Sequence, residues 1–356
     1  MKKFLIIIVA IFTMGSSLLA QDIHFSQYNE TPSLVNPALI GSQYVMRASI
    51  IYKDQWGSVT VPYRTYGASY EMKFKASNWE KSDPFKTKTY KKAFSKMAGG
   101  LAFFSDKAGD GNMGTNQVNL SLASFIKTGE LSTLSVGLQG AVVQKTVDFN
   151  KFIFSNQYNG TSYDPTISSN ETYGSRSFVY PDFAAGLLYR YDREEDEIGE
   201  NDQLSADIGF SMFHINRPKQ KFMISTAEKL FSKYTVHGKM LVGIPHSNLG
   251  LAPSFLFNFQ GPQSELMGGL MFKYYLKHDS KYTGYVRRSS LGLGAYYRYK
   301  DAVVVALLLE LGQYAVGFSY DINTSGLTKV STLRGGPEVT IRYNSANRFL
   351  FQKHRN

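Results

Sequence analysis

From residue 204 the chain is apolar at every second position. Leu204, Ala206, Ile208, Phe210 and Met212 share one face, and Ser205, Asp207, Gly209 and Ser211 share the other. A period of two defines a β-strand with unlike faces. The pattern recurs where Tyr314, Val316, Phe318 and Tyr320 alternate with Gln313, Ala315, Gly317 and Ser319, and where Leu134, Val136, Leu138 and Val142 alternate with Thr133, Ser135, Gly137 and Gln139. Comparable segments predict strands at 44–54, 64–75, 96–105, 116–127, 131–145, 179–192, 203–214, 233–243, 249–260, 265–276, 289–300, 302–310, 311–320 and 335–344, about fourteen in all. Helical periodicity is weak after residue 21.

The unlike faces decide between two all-β architectures. A soluble β-sandwich turns a polar face outward, whereas here one face carries rings and the other carries Gly, Ser, Gln and Asp, the lipid-out and polar-in arrangement of a transmembrane barrel. The longest apolar run after the leader is Ala302 to Leu309, far short of the ~20 residues that a membrane-spanning helix needs. The expectation is therefore an all-β, closed antiparallel transmembrane barrel over 44–344. It is preceded by a non-barrel segment at 21–43 and followed by a basic tail at 345–356. Plausible loops run from Asn78 to Lys92, from Asn156 to Ser177 and from Arg193 to Asp202, and barrels of this type are expected to alternate long and short connections. Glu194, Glu195, Asp196 and Glu197 form either a solvated loop or a cation or partner site.

The start of the chain supplies the compartment. Lys2 and Lys3 precede the apolar run Phe4 to Phe12, and Ser17 and Ala20 are the small residues of a cleavage site, so 1–20 reads as a secretory signal peptide, with an N-terminal anchor helix as the alternative. There is no cysteine, which excludes a lipoprotein leader and disulfides alike. The chain holds 39 Lys and Arg against 28 Asp and Glu, and removing Lys2 and Lys3 from the net +11 leaves +9. These charges are scattered rather than gathered on one helix face, which argues against nucleic-acid binding. With 24 Tyr, 25 Phe, 2 Trp and 31 Gly, the composition suits strands, bilayer interfaces and tight bends.

Catalytic and metal motifs are sparse. The nucleophile-elbow pattern G-x-S-x-G does not occur in the mature chain, and the six His at 24, 214, 237, 246, 278 and 354 form no zinc-binding pair, so each reads as a loop or strand-end hydrogen-bonder. Asp106 to Asn112 places Gly111 where a calcium loop turns. However, Ala108 and Gln117 stand where ligands belong, which leaves a Gly-rich turn. Gly292 and Gly294 lie inside a strand with no helix after them. No enzyme and no cofactor is expected.

A resemblance runs along the chain. The opening Gln21-Asp-Ile-His-Phe-Ser-Gln-Tyr28 and the turn Asn36-Pro-Ala-Leu-Ile-Gly41 resemble the start of the PorP/SprF family of type IX secretion outer-membrane proteins. Tyr52-Lys-Asp-Gln-Trp56, Pro62 to Tyr70, Asp106-Lys-Ala-Gly109, Phe213 to Pro218, Pro253-Ser254, Gly317 to Ile322 and Gly336 to Ile341 follow in the family's order. The resemblance implies an outer-membrane barrel serving type IX export and gliding, whose partners are outer-membrane lipid and either machinery subunits or a secreted adhesin. It transfers no catalytic residue. Pro32 and Pro37 disfavour helix and central strand, so 21–43 is read as chain that enters the lumen, meets a periplasmic partner or closes the barrel mouth. Candidate partner contacts are His24, Phe25, Gln27, Tyr28, Asn36 and Pro37, then Trp56, Arg64 and Tyr66. Each of these has strand-end anchoring or turn formation as its alternative. A diffusion porin is the competing function, and a surface lipase is a third. One departure is noted: Tyr343 closes the last strand and is followed by the basic tail.

Overall fold

The computed structural model describes residues 22–57, 61–74, 96–109, 111–164, 166–170, 174–193, 201–222, 229–277, 288–325 and 333–345. The predicted leader, the loop Asn78 to Lys92, the run Glu194 to Glu197 and the tail after Ser345 lie outside them. The strands are β1 (Met46–Gln55), β2 (Tyr63–Lys73), β3 (Met97–Ala108), β4 (Met113–Lys127), β5 (Ser132–Thr146), β6 (Ser177–Arg193), β7 (Leu204–Phe213), β8 (Lys233–Gly243), β9 (Leu249–Gln260), β10 (Gln263–Lys277), β11 (Ser289–Arg298), β12 (Ala302–Leu311), β13 (Tyr314–Asn323) and β14 (Arg334–Ser345). Each pairs antiparallel with its neighbours in sequence, and β1 pairs with β14 from Met46↔Ser345 to Lys53↔Glu338, closing the barrel. Closure leaves no sheet edge unpaired, as hydrocarbon surroundings require. The soluble sandwich is thereby excluded.

Burial follows the alternation read from the sequence, with the polar face inside. Ile208, Phe210, Leu138, Val142, Tyr314, Val316 and Phe318 are exposed on the outer wall, while Asp207, Ser211, Ser135, Gln139 and Ser319 are buried. The outward rings and aliphatic chains form the surface that lipid tails cover. Tight turns come from residues that tolerate left-handed backbone: Gly261 (φ 57°) joins β9 to β10, and Gly312 (φ 62°) joins β12 to β13. The Gly-rich turn after β3 forms at Gly109 (φ 60°) and Asn112 (φ 43°).

The mouth where β1 begins and β14 ends is called the near mouth, and its opposite the far mouth. Connections at the near mouth span 74–96, 128–131, 194–203, 244–248, 278–288 and 312–313. Those at the far mouth span 56–62, 109–112, 147–176, 214–232, 261–262, 299–301 and 324–333. Long and short connections thus occur at both ends, and the expected alternation is not strict.

Residues 22–43 run through the lumen. Short helical turns at Tyr28–Glu30, Pro32–Val35 and Pro37–Leu39 coil the chain where its prolines forbid a strand. Among the described residues, three of the four buried hydrophobic clusters lie between this plug and the inner wall, and the fourth joins Ala141, Val143, Phe178 and Tyr180 of β5 and β6. Phe25 packs with Ile51, Ala102 and Phe104; Tyr28 and Val35 pack with Leu256, Met267, Tyr296 and Val304; and Ile40 packs with Ala98, Ala123 and Phe125. Burying each large side chain contributes about 1.5–3 kcal/mol before the entropy of ordering the segment.

Candidate functional site

The plug is anchored by charge along its whole length. At the far mouth, Asp22 accepts from His214 Nε2 at 2.7 Å and lies 3.3 Å from Lys233 Nζ, while His214 Nδ1 meets Asp182 at 2.9 Å. Burial opposes the imidazolium, yet Asp22 and Asp182 raise His214 to about 9. Burial would likewise raise the Asp22 carboxyl, but His214 and Lys233 hold it well below the usual range. The cluster is a cation set between two carboxylates at neutral pH. His24 differs: burial and the Lys53 charge push its imidazole below its ordinary value, and its Nδ1 lies 3.3 Å from the Asp22 carbonyl.

One turn further in, the backbone N–H groups of Ser26 and Gln27 both donate to the Glu338 carboxylate, at 2.8 and 2.7 Å. The Ser26 hydroxyl donates to Asp321 at 2.7 Å and accepts from Arg298 at 2.7 Å, and the Gln27 amide reaches Ser319 and the Glu338 carbonyl. At mid-lumen the Glu30 carboxylate bridges Arg342 at 2.6 Å and Arg47 at 3.1 Å, joining β14 to β1 across the closure seam. Burial would raise Glu30, but Arg342 and Arg47 keep it below its ordinary value. Arg342 continues to Glu310 at 2.6 Å, and Glu310 to Lys273 at 2.8 Å. Removing one partner from such a buried network leaves an uncompensated charge.

Asn36 fixes the inner end. Its side-chain oxygen accepts from the Ala38 N–H at 2.9 Å, and its amide nitrogen reaches the Leu187 carbonyl at 2.9 Å and His237 Nε2 at 3.0 Å. The chain can come this close because the wall carries glycines there. A Cβ on Gly186 would collide with Asn36, and one on Gly137 with the Pro37 and Ala38 backbone. Next to the near mouth, the Gly41 N–H donates to Glu71 at 2.8 Å. Two cavities beside the plug are small: one of about 50 Å³ next to Asp22, His24 and Phe25, and one of about 20 Å³ next to Arg47, Asp207 and His237. Each holds a few waters at most.

The sequence-predicted contacts divide by location. His24, Phe25, Gln27, Tyr28, Asn36 and Pro37 are brought together on the plug, with Phe25, Tyr28, Asn36 and Pro37 buried against the wall. Trp56, Arg64 and Tyr66 lie apart from them at the far mouth, where Trp56 (φ 58°) meets Tyr63 edge-on at 5.0 Å and Tyr66 meets Tyr52 at 5.0 Å. Sequence reasoning missed Asp22, Ser26 and Glu30, and the wall residues His214, Arg298, Asp321, Glu338 and Arg342 that receive them. A signal was present, since His214, Asp321 and Glu338 all fall inside the segments that carried the resemblance. Among the described residues no group of three or more His, Asp or Glu is placed to hold a metal ion.

This geometry defines an outer-membrane-type β-barrel whose polar lumen is filled by its own N-terminal segment. The chain belongs to the PorP/SprF family of type IX secretion system membrane proteins, whose model matches residues 17–343, and it is thus an outer-membrane barrel component of that system. No curated protein matches the sequence. Among solved structures it is similar to a Pseudomonas aeruginosa FadL homologue (9% identity, 88% of this chain and 94% of that one, TM-score 0.42). It is also similar to the KdgM porin in complex with disordered oligogalacturonate (7%, 84% and 99%, TM-score 0.36) and to BamA from Haemophilus ducreyi lacking POTRA domains 1–3 (10%, 85% and 71%, TM-score 0.38).

Proposed function

We propose that this protein acts in type IX secretion and gliding by binding rather than by catalysis. In this reading it is exported by the leader at 1–20 and holds a secreted surface protein or a periplasmic machinery subunit at the barrel. The observation that carries the proposal is the occupied lumen: a barrel built to pass solutes needs an open passage, whereas here the segment 22–43 is anchored from one mouth to the other by ion pairs at Asp22 and Glu30 and by backbone N–H groups of Ser26 and Gly41 donating to wall carboxylates. His24, Phe25, Gln27, Tyr28, Asn36 and Pro37 are the residues through which a partner would sense or shift the plug. Trp56, Arg64 and Tyr66 are reachable without moving it.

The porin reading keeps one favourable observation. The wall behind the plug is lined by Arg47, Lys53, Glu71, Asp207, Arg298 and Arg342, a polar lining that would conduct if the plug left. Two measurements decide between the readings. The tagged protein is captured from gently solubilised outer membranes and its companions identified by mass spectrometry, in wild type and in a His24→Ala/Phe25→Ala/Tyr28→Ala variant; the purified barrel is tested for ion conductance. Specific machinery subunits or one large surface protein, lost in the variant, support binding. Absence of companions together with a conducting wild-type barrel overturns the proposal in favour of the porin.

A further inference from the structure

The charge on the two mouths is not alike. At the far mouth the most exposed charged residues among those described are Lys and Arg, including Arg64, Lys107, Lys151, Arg176, Lys219 and Lys300, with Asp54, Asp148, Asp164 and Asp301 part-exposed among them, whereas the near mouth mixes Lys96, Lys127 and Lys277 with Glu130 and Asp192. Two of the far-mouth cations stand on the wall itself. Arg64 of β2 and Lys107 of β3 are register partners and both lie on the outward, exposed row. Directly opposed residues hold their Cβ atoms about 4.5–5.5 Å apart, a placement in which like charges repel. A single carboxylate serves the pair: Asp54 accepts from Arg64 Nε at 3.2 Å and also from the Tyr52 hydroxyl at 3.1 Å. Among the described residues Lys107 has no ion-pair partner, so within that set the pair carries one more positive charge than Asp54 matches.

The surroundings identify the missing anion. Immediately toward the barrel waist, the same outward rows present Tyr66, Phe103 and Leu101, which are 52%, 46% and 54% exposed. Trp56, Tyr63, Tyr52 and Tyr66 cluster beside the cations, as an aromatic girdle does at the level of lipid headgroups. A guanidinium and an ammonium together suit a phosphate, and the apolar rows below suit acyl chains.

We infer that the outer wall between Arg64 and Lys107 binds the phosphate of an anionic membrane lipid whose acyl chains lie along Tyr66, Phe103 and Leu101. The site is on the bilayer side of the wall, separate from the plug, and stands whether the lumen binds a protein or passes a solute; a partner that used Arg64 and Tyr66 at the far mouth would compete with the lipid for them. Diphosphoryl lipid A, its dephosphorylated form and inorganic phosphate are titrated onto the full chain in mild detergent and followed by native mass spectrometry. At about fivefold per basic residue, removing the phosphates weakens wild-type binding on the order of 25-fold. Arg64→Gln/Lys107→Gln weakens diphosphoryl lipid A by the same factor and leaves the dephosphorylated form unchanged. Lys219→Gln/Lys221→Gln, elsewhere on the rim, changes neither. Equal wild-type binding of the two lipids overturns the inference without recourse to any variant. So does undiminished binding by the double variant when it keeps the heat-modifiable gel mobility of a folded barrel. Inorganic phosphate bound as tightly as the lipid reassigns the pair to a free anion and overturns the lipid source.

Discussion

Glu30 is the point at which the plug can be loosened with least disturbance to the wall. Its carboxylate neutralises Arg342 and Arg47, whose side chains are only 6% and 4% exposed. Removing one member of a buried pair costs about 3–5 kcal/mol because the remaining charge is stranded. Here Arg342 keeps Glu310 at 2.6 Å, and Arg47 keeps the Asn29 carbonyl at 3.0 Å and Glu71 at 3.8 Å, so Glu30→Gln belongs at the lower end of that range. A loss of about 3 kcal/mol from the docked plug raises the undocked-to-docked ratio on the order of a hundredfold. Single-barrel recordings in planar bilayers are the assay: wild type is expected to stay closed, and Glu30→Gln to show openings about two orders of magnitude more often. Asp54→Asn, which removes a carboxylate from the outer wall, is expected to match wild type. An open probability for Glu30→Gln within twofold of wild type, in a barrel shown to be folded, would refute the claim that this bridge holds the plug. Acid gives an independent reading. Since the Glu30 carboxyl is held below its ordinary value, its contribution is complete above the usual carboxylate range and is lost only as pH falls below it. The Glu30 share of the closure in wild type should therefore be lost only in strong acid.

Three further outcomes are expected. The His214 imidazole is raised to about 9, so its hold on Asp22 is complete below about 6.5, the ordinary histidine value, and is lost as pH rises through about 9. Because the chain has no other thiol, Ile23→Cys can be labelled with a maleimide, and its rate relative to exposed Gly160→Cys should rise between pH 7 and pH 10; a constant ratio would exclude the anchor. Gly186→Ala places a methyl against Asn36 and should lower the unfolding midpoint by the equivalent of about 1–3 kcal/mol, whereas Gly140→Ala, whose added Cβ meets nothing nearer than 3.9 Å, should be close to neutral in the same urea titration. Leu120→Arg, on the outer face where the native side chain is 59% exposed, should cost about 2–4 kcal/mol of folding into liposomes if this row faces the bilayer midplane, and a neutral result would take it out of the hydrocarbon.

The barrel was legible because strands of this class must alternate. Leu204 to Met212 showed both the period and, through Asp207, which face turned inward, and the predicted strands agree with β1–β14 to within a few residues. The plug was legible only as chain that could not be strand, since Pro32 and Pro37 exclude ladder hydrogen bonds but say nothing of where the segment goes. Its anchors were invisible to local pattern for a physical reason. Ser26 meets Glu338 across 312 positions of sequence, and a lone Glu in a strand looks the same whether it faces water or a backbone N–H. The sequence left His24, Phe25 and Tyr28 open between lumen, partner and barrel mouth, because rings and amides outside strands are commonly surface groups. In this molecule the surface is apolar, and it is the lumen that gathers such groups.

Because the plug precedes β1 by only Tyr44 and Val45, it is never a separate ligand. Displaced from the lumen, it stays tethered at the near mouth, and a short flexible tether keeps its local concentration in the millimolar range. Anything that opens this barrel must therefore compete continuously with a molecule that cannot diffuse away, and once that competitor leaves, the barrel reseals by a unimolecular step independent of protein concentration. A closure of this kind keeps the lumen filled without a second gene product.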